Sequence, residues 1–179
     1  GGFLGLMVSL VAVWFIRTLR VVVESPDEIE SRLGLPVYAS IPHSPEEVAI
    51  NKRTKGAKAG ELLAVSNPDD DAIESLRSLR TTIHFALLDA QQNSLLITGP
   101  SPGLGKSFIS KNLGVVLAQT EKRIVIVDAD LRRGHINKEF GLPREIGVSE
   151  YVAGHASLSD IVKPTSVPNL SVVTTGRIP

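Results

Sequence analysis

The residues with the clearest chemical meaning lie in one stretch, Gly99-Pro100-Ser101-Pro102-Gly103-Leu104-Gly105-Lys106-Ser107. The apolar run over residues 95–97 predicts a buried strand before it, and the pattern after Ser107 predicts a helix. Strand, glycine-rich loop and helix in this order are typical of a P-loop, in which backbone N–H groups at the positive end of a helix bind phosphate. No proline interrupts the run that would supply these N–H groups. Its residues are Gly103, Leu104, Gly105, Lys106, Ser107 and Phe108.

Two side chains of this stretch have predicted roles of their own. We expect the Lys106 ammonium to contact the β- and γ-phosphates and the Ser107 hydroxyl to ligate Mg²⁺. The usual P-loop spacing has glycine where Pro100 stands, and Gly99 comes one residue early. The alternative is a glycine-rich turn that caps an ordinary helix.

A second group of candidate residues follows the apolar run Ile124–Val127. Asp128 comes directly after that predicted strand, and Asp130 and Arg132 follow at two-residue intervals. Open α/β sheets bind ligands at the carboxyl ends of their strands, where a carboxylate can hold Mg²⁺ beside phosphates. The alternative is an acidic loop in which Asp130 pairs with Arg132.

The elements needed to position these residues are those of a parallel α/β sheet with flanking helices. Two strands around the helix after the P-loop form a right-handed βαβ unit, and the uninterrupted apolar run Ile124–Val127 predicts a strand covered on both faces. A third strand is predicted over residues 170–175, with short helices over 148–153 and 158–162. The fold class is therefore α/β, P-loop NTPase-like.

A long amphipathic helix is predicted before the P-loop, starting after the acidic cluster Asp69-Asp70-Asp71. Ile73, Leu76, Leu79, Ile83 and Leu87 form its apolar face. Glu74, Arg77 and Arg80 form a second stripe beside that face. Glu74 and Arg77 are i,i+3 neighbours, so the stripe is either paired locally or binds a partner.

The amino-terminal third is organised differently. Residues 1–16 are uncharged and largely apolar, and Arg17 and Arg20 follow. This pattern predicts that residues 1–20 are the end of a transmembrane helix. The two arginines place the chain after it in the cytoplasm. A buried core helix is the alternative. Residues 21–65 are interpreted as a juxtamembrane connector with a short strand at 37–42 and a basic run at 52–58. The basic run is either a solvated loop or a contact with anionic lipid. The domain that contains the P-loop is predicted to span residues 66–179.

Composition limits the function classes. The 19 basic and 19 acidic residues of the 179-residue chain cancel, which gives no electrostatic reason to expect nucleic acid as a partner. The chain has no cysteine, so disulfides and thiolate metal sites are excluded. No apolar run that ends in Asp follows Asp130. The chain begins at Gly1 and not at Met, and it ends directly after an apparent strand, so we interpret it as a fragment of a longer protein.

Together these motifs resemble the bacterial tyrosine kinases that regulate capsular and exopolysaccharide synthesis. The stretch Gly99–Ser107 is similar to the family's Walker A motif, and Val125–Arg132 resembles its Walker A′ motif, apolar residues followed by D-x-D-x-R. Residues 74–80 match the family's E-x-x-R-x-x-R segment. The apolar amino terminus and the stretch Leu33–Val37 resemble the end of its chain-length-regulator module.

The resemblance implies an autophosphorylating protein tyrosine kinase with ATP and Mg²⁺ as cofactors. By it, Lys106, Asp128 and Asp130 are catalytic, Ser107, Asp128 and Asp130 hold the metal, and Asp128 helps to deprotonate the acceptor tyrosine. Glu74, Arg77 and Arg80 would assemble a ring whose subunits phosphorylate a neighbour's tyrosine-rich tail. The implied location is the bacterial inner membrane, with the kinase domain in the cytoplasm, beside the polysaccharide polymerisation and export machinery.

The chain departs from the family's pattern in two respects. It contains neither a Walker B strand nor a tyrosine cluster, and its tyrosines are only Tyr38 and Tyr151. Two other functions stay open at this point. One is a membrane-associated ATPase switch of the MinD/ParA type, although Ser101 stands where that group usually has a lysine. The other is a non-catalytic scaffold that controls polysaccharide chain length.

Overall fold

The computed structural model describes residues 2–19, 26–54, 61–88 and 93–177. The chain divides into two compact units, Gly1–Ser40 and Ile41–Pro179. Residues 41–65, which the sequence assigned to the connector, therefore belong to the same unit as the P-loop. Arg20, Lys55 and Lys58 lie outside the described residues.

The first unit contains two helices, α1 (Gly2–Leu19) and α2 (Pro26–Leu33). Pro26 starts α2, where its missing N–H costs nothing, and Gly34 follows its end with a φ of +65°. Across the described ranges, no helix is both long enough and apolar enough to pass through a membrane. The end of a transmembrane helix that the sequence predicts over residues 1–20 is therefore not found as a membrane span in the part of the chain that the structure describes.

The second unit begins with three helices that precede the P-loop. They are α3 (Pro45–Arg53), α4 (Leu63–Ser66) and α5 (Asp71–Leu88). The Ser44 hydroxyl caps α3 by accepting from the Glu47 N–H at 3.2 Å, and also donates to Asp70 at 2.8 Å. Lys52 and Arg53, the first two residues of the predicted basic run, thus lie in the last turn of α3.

The remaining elements surround a small mixed sheet. They are α6 (Lys106–Ala118), β1 (Ile124–Val127), α7 (Ile136–Glu139), α8 (Val148–Val152), α9 (Leu158–Ile161), β2 (Val162–Pro164) and β3 (Leu170–Val173). The strand order is β1–β3–β2. β1 pairs with β3 in parallel, with Ile124 opposite Leu170 and Val127 opposite Val173, whereas β2 pairs with β3 antiparallel.

The hydrophobic core lies between the sheet and α4, α5 and α6. Ile73 and Leu76 of α5 are buried, as the periodicity predicted, and they share the core with Leu113, Val116 and Ile126. Every residue from 111 to 116 is buried, so α6 is enclosed on all sides. This burial fixes the helix that starts at the P-loop.

Three predictions about strands are wrong. Residues 95–98 form no strand in the structure; Leu95 and Leu96 are exposed, and no neighbouring strand pairs with them in the described ranges, so the predicted βαβ unit is not formed. Residues 37–42 are likewise not a strand. β1 is covered on one face only, because Ile126 is buried in the core while Val125 and Val127 are about half exposed.

Candidate nucleotide site

The loop before α6, residues 99–105, is called the phosphate loop here. It is exposed from Ser101 to Gly105, and Gly105 forms the N-cap of α6 with a φ of +84°. That left-handed conformation suits glycine, and a Cβ at Gly103 or Gly105 would meet no atom within 4 Å. The backbone at the start of α6 can therefore be approached closely by a ligand.

The first turn of α6 contains the backbone N–H groups and the side chains to which the sequence assigns phosphate binding. Its leading N–H groups have no partner within the helix, and they stand at the positive end of the helix dipole. The Lys106 ammonium folds back and donates to the Ser101 carbonyl at 2.8 Å. An ammonium has three donors, so this single bond leaves capacity for phosphate oxygens. Ser107 and Phe108 follow in the same turn and are partly buried.

The loop after β1, residues 128–136, is called the aspartate loop here. Asp128 is 6% exposed, and its two carboxylate oxygens accept from the N–H of Asp130 at 3.3 Å and of Ile136 at 3.1 Å. Asp130 is exposed, and its Oδ1 accepts from the N–H of Arg132 at 3.2 Å and of Arg133 at 2.9 Å. Both predicted carboxylates thus hold the loop together through its backbone.

Gly134 completes the aspartate loop by close approach. Its N–H donates to the Asp130 carbonyl at 2.7 Å. A Cβ on Gly134 would overlap Cγ2 of Thr175 and would lie 2.7 Å from Oδ2 of Asp128. Asp128, Gly134 and Thr175 therefore meet at one edge of the sheet, and only glycine fits between the other two.

The two loops lie at the same edge because of the way α6 returns to the sheet. The chain reverses between the end of α6 at Ala118 and the start of β1 at Ile124, and α6 lies against β1. A helix that runs back along its strand starts near that strand's carboxyl end. The phosphate loop and Asp128 are thereby brought to the edge where open α/β sheets bind ligands.

The residues fit a nucleotide and a magnesium ion. The phosphate loop offers the backbone, the N–H donors and the lysine that a triphosphate requires. The described residues contain no group of three His, Cys, Asp or Glu side chains that could hold a metal. Beside nucleotides, Mg²⁺ is held by one or two carboxylates together with phosphates and waters.

A third loop, after β3, is fixed at the same edge by an unusually acidic carboxyl group. Glu150 accepts from the N–H of Gly147 at 2.8 Å and of Arg177 at 3.0 Å, and these bonds lower the pKa of Glu150 to about 2. Lys163 donates to the Glu145 carbonyl at 2.8 Å, and desolvation lowers the pKa of its ammonium. The residues around the carboxyl end of β3 are therefore cross-linked by charged side chains.

The stripe on α5 lies within hydrogen-bonding contact of its own chain. Arg77 forms an ion pair with Glu74 at 2.9 Å, the local pairing that i,i+3 spacing allows. Arg80 extends towards α6 and reaches the Val116 carbonyl in its last turn at 3.5 Å. Arg80 therefore lies beside the last turn of α6, at the opposite end of that helix from the phosphate loop.

Sequence reasoning missed Lys111, which is buried in the middle of α6. Its ammonium lies 2.8 Å from Glu47 of α3 and 2.8 Å from Glu139 of α7. The only signal was its spacing, since Val115 and Ala118 lie four and seven residues further along the same helix face. The two carboxylates are 64 and 28 residues away in sequence, so no local pattern pairs them with Lys111.

Comparisons with known proteins agree with the resemblance. Tyrosine-protein kinase ptk of Acinetobacter johnsonii is 46% identical over 179 residues, which is 100% of this chain and 24% of that protein. Tyrosine-protein kinase wzc of Salmonella typhimurium is 41% identical over 98% of this chain and 25% of its own length. No model of a known family matches the chain.

Solved structures agree in fold. The BceF tyrosine kinase domain superposes with a TM-score of 0.81 at 40% identity, covering 88% of this chain and 64% of that one. The kinase domain of the Escherichia coli tyrosine kinase ETK gives a TM-score of 0.80 at 40% identity, covering 88% and 62%. The chain therefore spans about a quarter of the curated relatives and under two thirds of these solved domains.

Proposed function

Because this chain is homologous to one segment of the bacterial tyrosine-protein kinases, we propose that it supplies the nucleotide-binding part of an ATP-dependent protein tyrosine kinase. One observation carries the proposal most directly. The helix α6, which starts at Lys106, packs against β1, and the buried carboxylate of Asp128 directly follows β1. A phosphate-binding backbone beside a fixed carboxylate is the arrangement that phosphoryl transfer needs.

The phosphate loop binds and orients in this proposal. The N–H groups of residues 103–108 would bind the phosphates, and the Lys106 ammonium, which donates to the Ser101 carbonyl, would donate to phosphate oxygens as well. ATP supplies the phosphoryl group, and Mg²⁺ neutralises its charge. The Ser107 hydroxyl would ligate that ion. Positioning and electrostatic stabilisation provide most of the rate, since phosphoryl transfer requires little covalent chemistry from the protein.

The aspartate loop supplies the carboxylates. Asp128 would hold the ion directly or through a water, and would accept the proton of the acceptor tyrosine. Its bonds to the N–H groups of Asp130 and Ile136 fix its orientation before any ligand binds. Asp130 lies in the same loop and is exposed, and its carboxylate would also help to hold the metal ion. Preorganisation of this kind is what makes electrostatic catalysis effective.

The cellular setting is a further part of the proposal. The residue pattern resembles kinases that regulate capsule and exopolysaccharide synthesis, and we extend that role to the whole protein, acting at the inner membrane with this domain in the cytoplasm. Glu74, Arg77 and Arg80 would turn from their local bonds to a neighbouring subunit in a ring. Arginine guanidinium groups suit such contacts because they bind carboxylates in a bidentate manner.

The test is phosphate transfer to tyrosine by the full-length protein, with Lys106→Met beside Lys122→Met. Lys122 is an exposed lysine, 3.3 Å from the His84 ring, and serves as the control. Removal of the Lys106 charge is expected to lower transfer by about 100-fold or more, while Lys122→Met retains the wild-type rate. Hydrolysis of ATP without phosphotyrosine would instead assign an ATPase switch. Absence of both activities, with ATP unbound, would leave a scaffold.

A further inference from the structure

The buried side chain of Lys111 connects three helices. Its ammonium is 2.8 Å from Glu47 on α3 and 2.8 Å from Glu139 on α7, and its side chain is only 3% exposed. The two glutamates are partly covered as well, at 13% and 19% exposed. A buried ion group adds little stability over apolar residues of the same size, but loss of one member leaves the other charges uncompensated. The ion group of Lys111, Glu47 and Glu139 therefore holds α3, α6 and α7 in one arrangement.

One branch of this group leads directly to the aspartate loop. Glu139 is the last residue of α7, and Ile136 is the first. The Ile136 N–H donates to Oδ2 of Asp128 at 3.1 Å. Any displacement of this four-residue helix therefore moves the donor that orients the Asp128 carboxylate.

The other end of the connection is the phosphate loop. Lys111 lies five residues after Lys106 on α6, which is about 7.5 Å along the helix axis. The helix is enclosed on all sides at this point, so its position is fixed by packing. Lys111 thus connects the rigid helix that carries the phosphate-binding lysine to the short helix that orients Asp128.

We propose that Lys111 is a positioning residue, which acts through Glu139 to hold Asp128 at a set place relative to the phosphate loop. The branch to Glu47 secures α3 and has no connection to Asp128 through α7. The role of Asp128 in this inference rests on the proposed kinase function. The mechanical part, that Glu139 secures the Ile136 N–H on Asp128, is independent of it.

The two glutamates offer a matched pair of variants, Glu139→Gln and Glu47→Gln. Each removes one carboxylate at the same distance from the same ammonium, but only Glu139 lies on α7. The first measurement is amide hydrogen exchange at Ile136 in the full-length protein without nucleotide. Glu139→Gln is expected to raise that exchange rate about tenfold through local opening, and Glu47→Gln to change it by less than about twofold.

The second measurement is the Mg²⁺ concentration that half-saturates phosphate transfer. Loss of an outer-shell partner typically weakens a metal site by about 10- to 100-fold. Glu139→Gln loosens the Ile136 bond to Asp128 without removing it, so the midpoint should shift by about tenfold, the lower end of this range. Glu47→Gln should leave it unchanged, and Lys111→Arg, which keeps the charge, should retain most of the wild-type value. Lys111→Met is avoided as a sole test because it leaves two buried carboxylates without a cation.

The outcomes distinguish the positioning role of Lys111 from the proposed kinase function. Equal hydrogen exchange at Ile136 in the two glutamine variants would overturn the positioning role and make Lys111 an anchor of the fold. A wild-type protein that transfers no phosphate would refute the proposed function, while the exchange comparison would still decide the role of Glu139. Selective exchange together with a selective shift in the Mg²⁺ midpoint would support both.

Discussion

The phosphate loop and the aspartate loop lie at the same edge of the sheet but are built in opposite ways. The phosphate loop is exposed from Pro100 to Gly105, and Gly103 and Gly105 adopt left-handed conformations in open space. The aspartate loop surrounds a buried carboxylate whose two oxygens both bind backbone N–H groups. The first gains its function from accessible backbone and the second from fixed side chains. The same substitution should therefore have different consequences in the two loops.

The largest difference is expected in stability. Asp128→Ala leaves the N–H groups of Asp130 and Ile136 without their acceptor, which should lower the free energy of unfolding by about 2–4 kcal/mol. Lys106→Met loses one exposed hydrogen bond and should change it by less than about 0.5 kcal/mol. Urea unfolding of the two variants beside wild type measures both values. Equal losses would remove the distinction between the loops.

Glycine substitutions sharpen the same comparison. Gly134→Ala forces a methyl group against Thr175 and Asp128, so we expect a loss of about 3 kcal/mol. Gly103→Ala meets no atom and should cost about 1 kcal/mol, the strain of a positive φ alone. Thermal unfolding by calorimetry provides both numbers. A Gly134→Ala protein as stable as Gly103→Ala would show that the aspartate loop adapts freely.

These differences also explain what the sequence could and could not predict. The start of α6 was predicted correctly because the glycine-rich loop and the Lys-Ser pair that follows it form a local pattern typical of a helix start. The apolar face of α5 follows from periodicity, and the position of β1 follows from its uninterrupted apolar run. The absence of a strand at 95–98 was not predictable, since a strand depends on a pairing partner elsewhere. The contacts of Lys111 with Glu47 and Glu139 are long-range for the same reason.

The loop after β3 should respond to pH through Glu150. Its pKa is lowered to about 2 in the folded protein from an ordinary value of 4.5, so its contribution to stability is complete above about pH 5 and is lost as the pH falls towards 2. The stability difference between wild type and Glu150→Gln should therefore be constant from pH 6 to 8 and shrink below pH 5. Chemical unfolding at each pH measures it. A difference that does not change with pH would exclude Glu150 as its source.

A small effect on stability is also expected at the stripe on α5. Arg77→Ala combined with Arg80→Ala removes one partly exposed ion pair and one long hydrogen bond, so the loss should be less than about 1 kcal/mol. In the complete cytoplasmic domain we expect the same variant to form smaller oligomers and to phosphorylate its neighbours more slowly, with ATP binding retained. Sedimentation of the two proteins side by side tests this. Identical oligomer distributions would reduce the stripe to a locally paired helix surface.

The most direct test of the central claim is calorimetric titration of the full-length protein with ATP in the presence of Mg²⁺. If the phosphate loop is the nucleotide site, the wild type binds one ATP per chain and Lys106→Met binds it at least about tenfold more weakly, with its unfolding transition unchanged. Equal ATP affinity in the two proteins would contradict the assignment of this loop, and with it the account of how the chain acts.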